Sequence, residues 1–235
     1  MHLDDLELRI ATFEIRYDPS FLVWDRSGTL WTALREKFPQ LTVAQAAPNE
    51  VLAQEGNKRF SAGAEKAFLM TILPETMPGD FPDQAAMFTK IVSDTLDLKS
   101  FTRVGFRTVY FKRFAEGKDA ADAMLKLGLL VVPQGRHFGI DDGASLQPEY
   151  SVRIEGEALG YTVRVKAQEI TINIDLPPEL ARDDIKSGKE TKHELIFDID
   201  YYTTATVLLS QLRVSDWIQQ VFHGIRRDSR IYLEK

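Results

Sequence analysis

The sequence predicts an α+β protein with a mainly antiparallel sheet and helices packed on one of its faces. Hydrophobic residues make up 44% of the 235 residues and charged residues 27%, which is typical of a folded globular domain. Segments that alternate apolar and polar residues, as strands do, are separated by four segments with the apolar spacing of a helix. The order strand, helix, strands, helix occurs twice, which favours an antiparallel sheet with one covered face and is compatible with a duplicated unit.

The first of these units occupies residues 1–100. A strand is predicted over residues 6–17, and a change of apolar phase near Thr12 indicates either a bulge in it or a strand buried on both faces. A helix is expected over about residues 25–38, and short strands follow between residues 41 and 73. The proline-rich segment after them indicates a loop, and a second helix runs from about residue 82 to residue 98.

The second unit occupies residues 101–235 and is expected to pack with the first as one compact body. A further change of apolar phase predicts a bulge or a turn near Gln168. The last helix has the clearest pattern, because its apolar residues from Val214 to Ile225 recur at helical spacing. The predicted elements are a strand at 101–114, a helix at 119–130, strands at 151–154, 161–176 and 195–201, and a helix at 210–227.

Composition excludes several kinds of site. The chain has no cysteine, so it has no disulfide, no thiolate nucleophile and no cysteine-bound metal. Its four histidines form no metalloprotease motif, and we expect neither a cofactor nor a metal. The net charge of -6 argues against nucleic-acid binding by the whole surface. The lack of a secretory signal and of a long apolar segment predicts a cytoplasmic protein without membrane contact.

The segment of residues 134–148 has the composition of a binding loop. It contains Arg136 and His137, which suit a phosphate or a carboxylate, and Asp141 and Asp142, which together with His137 suit a metal ion. The alternative is a solvated loop whose glycines and aspartates only form turns.

A pair of aspartates in a late strand is a second candidate site. Asp198 and Asp200 are two residues apart, so their carboxylates face the same side of the strand. With Asp175 they would form an acidic cluster that could bind a metal ion or another ligand, or carry out acid–base chemistry. The alternative is an exposed sheet face on which they pair with Arg164 and Lys166.

Arginines gather in two places despite the acidic total. Arg107 and Arg113 lie in the strand that opens the second half, and the final segment contains Arg226, Arg227 and Arg230. Such clusters suit a nucleic-acid backbone or an acidic partner. Arginines at the end of a helix also have an ordinary role, because they oppose the helix dipole.

Two of the three tryptophans are expected to pack rather than to bind. Trp31 and Trp217 lie on the apolar stripes of their helices. Trp24 precedes the predicted first helix, where it would pack against that helix as a hydrophobic staple.

Four landmarks resemble a patchily distributed bacterial family of uncharacterised proteins of roughly 250 residues. They are a first strand that ends in FEIRY, a helix that ends in KFP, a late strand that reads LIFDIDYYT, and a final helix with the pattern W-x-x-x-x-F-H-x-I. The resemblance covers nearly the whole chain, and its motifs are structural. It implies a cytoplasmic bacterial protein without an assigned reaction.

Together these features predict a non-enzymatic protein that acts through macromolecular interaction, with a protein partner or with itself. A homodimer is the expected assembly because it is the commonest one. One alternative is a small-ligand-binding protein or a hydrolase-type enzyme that uses the 134–148 loop. The other is nucleic-acid binding through the local arginine clusters.

Overall fold

The computed structural model describes residues 1–47, 49–130, 147–174 and 188–234. In chain order, the strands are β1 (Glu7–Arg16), β2 (Thr42–Ala47), β3 (Glu50–Glu55), β4 (Lys58–Gly63), β5 (Lys66–Glu75), β6 (Ser100–Phe101), β7 (Arg103–Phe114), β8 (Glu149–Glu155), β9 (Leu159–Ile174), β10 (Gly188–Thr203) and β11 (Val207–Leu208). The helices are α1 (Leu22–Lys37), α2 (Phe81–Leu96), α3 (Gly117–Lys126), α4 (Val214–Asp228) and α5 (Arg230–Leu233). None of these helices is long and apolar enough to cross a membrane.

Nine strands form one sheet in the order β2-β3-β4-β5-β1-β7-β10-β9-β8. Every neighbouring pair in it is antiparallel, while β6 and β11 pair with each other. The first long strand of each half, β1 or β7, lies near the middle of the sheet. From β1 the first half continues outward through β5, β4, β3 and β2. From β7 the second half continues outward through β10, β9 and β8.

The two halves repeat the same order of elements, as the sequence predicts. Within the described residues, the first half runs from β1 through α1 and four strands of the large sheet to α2, and the second runs from β7 through α3 and three strands of that sheet to α4, with the short β11 just before α4. Their strands share one sheet because β1 pairs with β7 from end to end. The limits of the halves, at residues 1–100 and 101–235, stay a prediction.

The helices pack on one face of the sheet, and the main core lies between them and the strands. Phe13 of β1 meets Trp217 of α4 edge-on, with 6.3 Å between ring centroids. Phe60 of β4 meets Phe88 of α2 in the same way at 5.7 Å. α3 buries Met124 and packs on β9 and β10. Burial of each such side chain contributes about 1.5–3 kcal/mol, so this face supplies most of the apolar stabilisation.

The predicted α+β class, with its antiparallel sheet and packed helices, is confirmed. A bulge is present in β1, where the register shifts between Leu8 and Ile10, closer to the start of the strand than predicted. The bulge or turn predicted near Gln168 is wrong, because β9 pairs with β10 in one unbroken register. The apolar residues there change from one face of the sheet to the other along a regular strand, and Ile172 is an exposed example.

Candidate functional site

The face of the sheet opposite the helices carries alternating arginines and carboxylates. We call it the open face and define it by the side chains of Glu14, Arg103, Arg107, Arg164, Asp198 and Asp200. A small apolar cluster on this face, separate from the main core, contains Val109, Phe111 and Ile196. None of its members comes from a helix in the described part of the chain.

Arginines neutralise both aspartates that the sequence singled out. Arg107 donates two hydrogen bonds to the Asp198 carboxylate, at 2.8 and 2.7 Å, and these bonds raise the pKa of Arg107. Arg164 lies 3.6 Å from the same carboxylate. Arg103 donates to both oxygens of Asp200, at 2.9 and 2.7 Å. On the open face the two aspartates therefore form ion pairs with arginines, which favours the alternative of a paired sheet face over an acidic cluster. Ligand binding by Asp198 and Asp200 stays a prediction.

Arginine side chains also cover the apolar cluster of the open face. The Arg9 guanidinium lies 4.0 Å above the Phe111 ring, and that of Arg113 lies 5.4 Å from it. Arg9 donates a hydrogen bond to Glu194, whose side chain is 1% exposed. Long arginine side chains can cover apolar surface while the charged group stays near water. Arg113 therefore acts as a cover for Phe111.

The arginines of the last helices are divided among acidic neighbours. Arg226 donates to Asp4 at 2.8 Å, and Arg227 donates two bonds to Asp228, both at 2.7 Å. Arg230 is exposed at the start of α5. These pairs leave less free positive charge than the sequence alone suggests, so the structure weakens this cluster as a nucleic-acid site. Nucleic-acid or partner binding by these arginines stays a prediction.

The predicted binding loop lies outside the described residues. Arg136, His137, Asp141 and Asp142 belong to it, and Asp175 lies in another segment outside them. A site built from these side chains therefore stays a prediction. Among the described residues, no group of three or more histidine, aspartate or glutamate side chains is arranged to hold a metal ion.

At one end of the open face, Tyr202 lies between two glycines. It stands opposite Gly105 of β7 and Gly160 of β9 in the strand register. A Cβ atom on Gly160 would lie 3.0 Å from the Tyr202 ring, and one on Gly105 would lie 2.6 Å from Nη1 of Arg103. The two glycines therefore leave the space that the Tyr202 ring and the Arg103 guanidinium occupy next to the backbone.

Two arginines are held in place around this ring. The Cζ atom of Arg103 is 4.6 Å from the centroid of the Tyr202 ring, and that of Arg153 is 5.7 Å from it. Arg153 Nε donates to the Tyr202 hydroxyl at 2.8 Å, and this hydroxyl donates to Glu155 at 2.9 Å. Hydrogen bonds from Arg153 and Tyr202 lower the pKa of Glu155. Charged groups are therefore held in a fixed arrangement around the Tyr202 ring.

A cleft of about 530 Å³ opens beside Tyr202 and the charged groups around it. It lies where β1, β10 and β8 end and where β7 and β9 begin. Its lining is polar, and we call it the arginine cleft; it is formed by Arg16, Thr102, Arg103, Arg153, Glu155, Gly156, Thr162, Arg164, Asp200, Tyr202, Thr203 and Thr204.

A second surface feature is a pair of exposed aromatic rings at the start of α1. Phe21 is 68% exposed and Trp24 is 56% exposed, and their rings meet edge-on with centroids 5.8 Å apart. The expectation that Trp24 precedes the helix is wrong, because α1 begins at Leu22. Trp24 therefore lies inside the first turn and points its ring to the surface. We call Phe21 and Trp24 the aromatic pair.

Sequence reasoning missed most of the arginine cleft, although one signal was present. Gly105 and Gly160 interrupt strands, and a glycine inside a strand often marks a place where another group approaches the backbone closely. The pairing of Arg103 with Asp200 carried no signal, because the two residues are far apart in sequence and meet only through the strand register.

Comparison with known proteins gives no family assignment. No protein-family model matches the chain, and no curated protein is similar enough to count as a relative. The resemblance to a patchily distributed bacterial family therefore stays a prediction.

Proposed function

We propose that this is a non-enzymatic protein that acts through protein–protein contact, and that the aromatic pair is the centre of its contact surface. The observation that carries the proposal is the exposure of Phe21 and Trp24, at 68% and 56%. Large exposed aromatic side chains are costly in water, and aromatic residues are enriched at the centres of protein interfaces.

The charges beside the aromatic pair favour a protein over a nucleic acid. Aromatic rings can also stack on bases, but single-stranded nucleic acids are bound in positively charged grooves. Among the charged residues nearest in sequence, Asp18 and Asp25 are exposed, while Arg26 is paired with Asp97. A phosphate backbone would be repelled from such a surface.

A second copy of the chain is the partner we propose. In a two-fold symmetric dimer both copies use the same patch, so the aromatic rings of one copy would pack against those of the other. The exposed acidic residues would then lie at the rim, where the two copies repel each other weakly. Salt screens such repulsion, so added sodium chloride should strengthen this dimer, whereas it weakens association driven by opposite charges.

Sedimentation velocity over a wide range of protein concentration tests the proposal. The test variant combines Phe21→Ser with Trp24→Gln, since serine is a good residue at the helix start and glutamine retains helix propensity. The matched control is Ile231→Ser, which removes an apolar side chain that is 69% exposed at another site.

We expect the wild type and the control to dimerise with rising concentration and the double variant to stay monomeric. Circular dichroism should show the same helix content in all three proteins. A wild type that stays monomeric throughout, or a double variant that dimerises as well as the wild type, contradicts the proposal.

A further inference from the structure

The arginine cleft carries more positive than negative charge, although the chain as a whole is acidic. Four arginines line it against two carboxylates, those of Asp200 and Glu155. Glu14 does not line the cleft, but it accepts hydrogen bonds from Arg16 and Arg103. Asp198 pairs with Arg164 and with Arg107 just outside the cleft. With these neighbours and Glu14 included, five positive charges of the described residues face four negative ones, so the cleft is a local cationic site.

Two of its guanidinium groups retain donors that the described residues do not use. Arg153 bonds to Glu155 and Tyr202 through Nε and Nη2, which leaves Nη1 available among the described contacts. Arg164 lies 3.6 Å from Asp198, and that carboxylate already accepts two shorter bonds from Arg107. Both side chains are about half exposed or more, at 65% and 49%, so a ligand can reach them.

Arg103, at the centre of the cleft, is held rigidly. Arg103 is 17% exposed and bonds to both Glu14 and Asp200, and its guanidinium rests against the Tyr202 ring. A group that is already ordered loses little entropy when a ligand binds. Arg103 therefore acts as a fixed charge at the base of the cleft, while Arg153 and Arg164 form its accessible sides.

Hydroxyl groups complete the donor set. Thr203 Oγ1 accepts a hydrogen bond from the backbone N–H of Val104 at 3.0 Å, so its own hydroxyl hydrogen is left to donate. Thr102 and Thr162 also line the cleft. Guanidinium and hydroxyl donors together are the groups that bind phosphate oxygens in proteins.

From these observations we infer that the arginine cleft binds a small organic phosphate. Guanidinium groups bind phosphate in a bidentate manner, and a dianion gains more than a monoanion from a cationic cleft. The volume of about 530 Å³ lies within the range of small-molecule sites and leaves room for an organic group beside the phosphate. This inference concerns a different surface from the aromatic pair and does not depend on self-association.

Isothermal titration calorimetry with phosphoserine tests the inference, with serine as the ligand that lacks only the phosphate. The test variant combines Arg153→Ala with Arg164→Ala. The matched control combines Arg226→Ala with Arg227→Ala, which removes the same charge from residues that pair with Asp4 and Asp228 outside the cleft. Thermal unfolding of each variant without ligand verifies that it is folded.

We expect phosphoserine to bind the wild type more tightly than serine does. The cleft variant should lose about tenfold or more in affinity, because it loses charge-assisted hydrogen bonds, and the control should retain its affinity. Equal loss in both variants, or equal affinity for serine and phosphoserine, would overturn the inference. A phosphoserine peptide serves as a further arm: tighter binding of the peptide than of free phosphoserine would contradict a small-molecule ligand.

Discussion

The two faces of the nine-stranded sheet bury phenylalanine side chains in different ways. Phe197 on the helix-covered face is fully buried, and the ring of Tyr232 from α5 is its aromatic neighbour. Phe111 on the open face is 2% exposed, but guanidinium groups cover it. The covered face is sealed by rigid apolar elements, while the open face is sealed by charged side chains that can move into water. Two side chains that are equally buried can therefore be packed with different rigidity.

Truncation of these two rings should give the largest losses of stability, and it tests the difference between the two faces directly. Phe197→Ala should reduce the free energy of unfolding by about 3–5 kcal/mol, because helices and strands cannot close the cavity. Phe111→Ala should cost about 2 kcal/mol, since Arg9 and Arg113 can settle into the space. Urea denaturation measures both values. Equal losses would show that the open face is packed as rigidly as the core.

Removal of the most connected carboxylate of the open face should have the next largest effect. Asp198→Ala leaves the guanidinium of Arg107, and the nearby one of Arg164, without their acidic partner. Both arginines are about half exposed and can turn to water, so we expect a loss of about 1–2 kcal/mol in urea denaturation. A loss as large as that of Phe197→Ala would mean that the ion pairs, and not the apolar core, dominate stability.

A smaller effect should follow from a methyl group on the strand that faces Tyr202. In Gly105→Ala the new Cβ would lie 2.6 Å from Arg103 Nη1, so the guanidinium must move away from Glu14 and Asp200. We expect a loss of about 1 kcal/mol in thermal unfolding, together with weaker phosphoserine binding. Gly63→Ala is the matched control, because Gly63 also lies in a strand and its added Cβ would come no closer than 3.4 Å to any atom of the other described residues, which is an ordinary contact. An unchanged Gly105→Ala variant would contradict the fixed position of Arg103.

The smallest effect we expect is a change in the pH dependence of stability. Burial of Glu194 tends to raise its pKa, but the hydrogen bond and the charge of Arg9 outweigh burial, so the pKa is below the ordinary 4.5. A carboxyl group with a lowered pKa stabilises the fold above its unfolded pKa, and this contribution is lost as the pH falls through the folded pKa. Glu194→Gln should therefore flatten the fall in stability below about pH 4.5, as measured by thermal unfolding. An identical acid profile for wild type and variant would contradict the ion pair.

The sequence was sufficient for most of the longer elements and for the fold class, but not for the short β6, β11 and α5. The apolar spacing from Val214 to Ile225 predicts α4, because a helix brings those positions to one side. The alternation of Val163 and Val165 with polar residues predicts β9 in the same way. Such patterns depend only on neighbouring residues, and they are therefore readable without a structure.

The arrangement of the strands and the candidate sites could not be read in this way. That β1 pairs with β7 depends on contacts between residues about a hundred positions apart, such as Phe13 and Phe106. The arginine cleft depends on the same long-range register. Trp24 was misassigned because a helix boundary that is wrong by three residues moves a side chain from a loop into the first helical turn.

The most direct test of the central claim is the fluorescence of Trp24 as the protein associates. The chain has three tryptophans, and replacement of Trp31 and Trp217 by phenylalanine would leave Trp24 as the only reporter. If the aromatic pair is the contact surface, its emission should shift to shorter wavelength and its quenching by acrylamide should fall as the protein concentration rises. Emission and quenching typical of an exposed tryptophan at every concentration would contradict the claim.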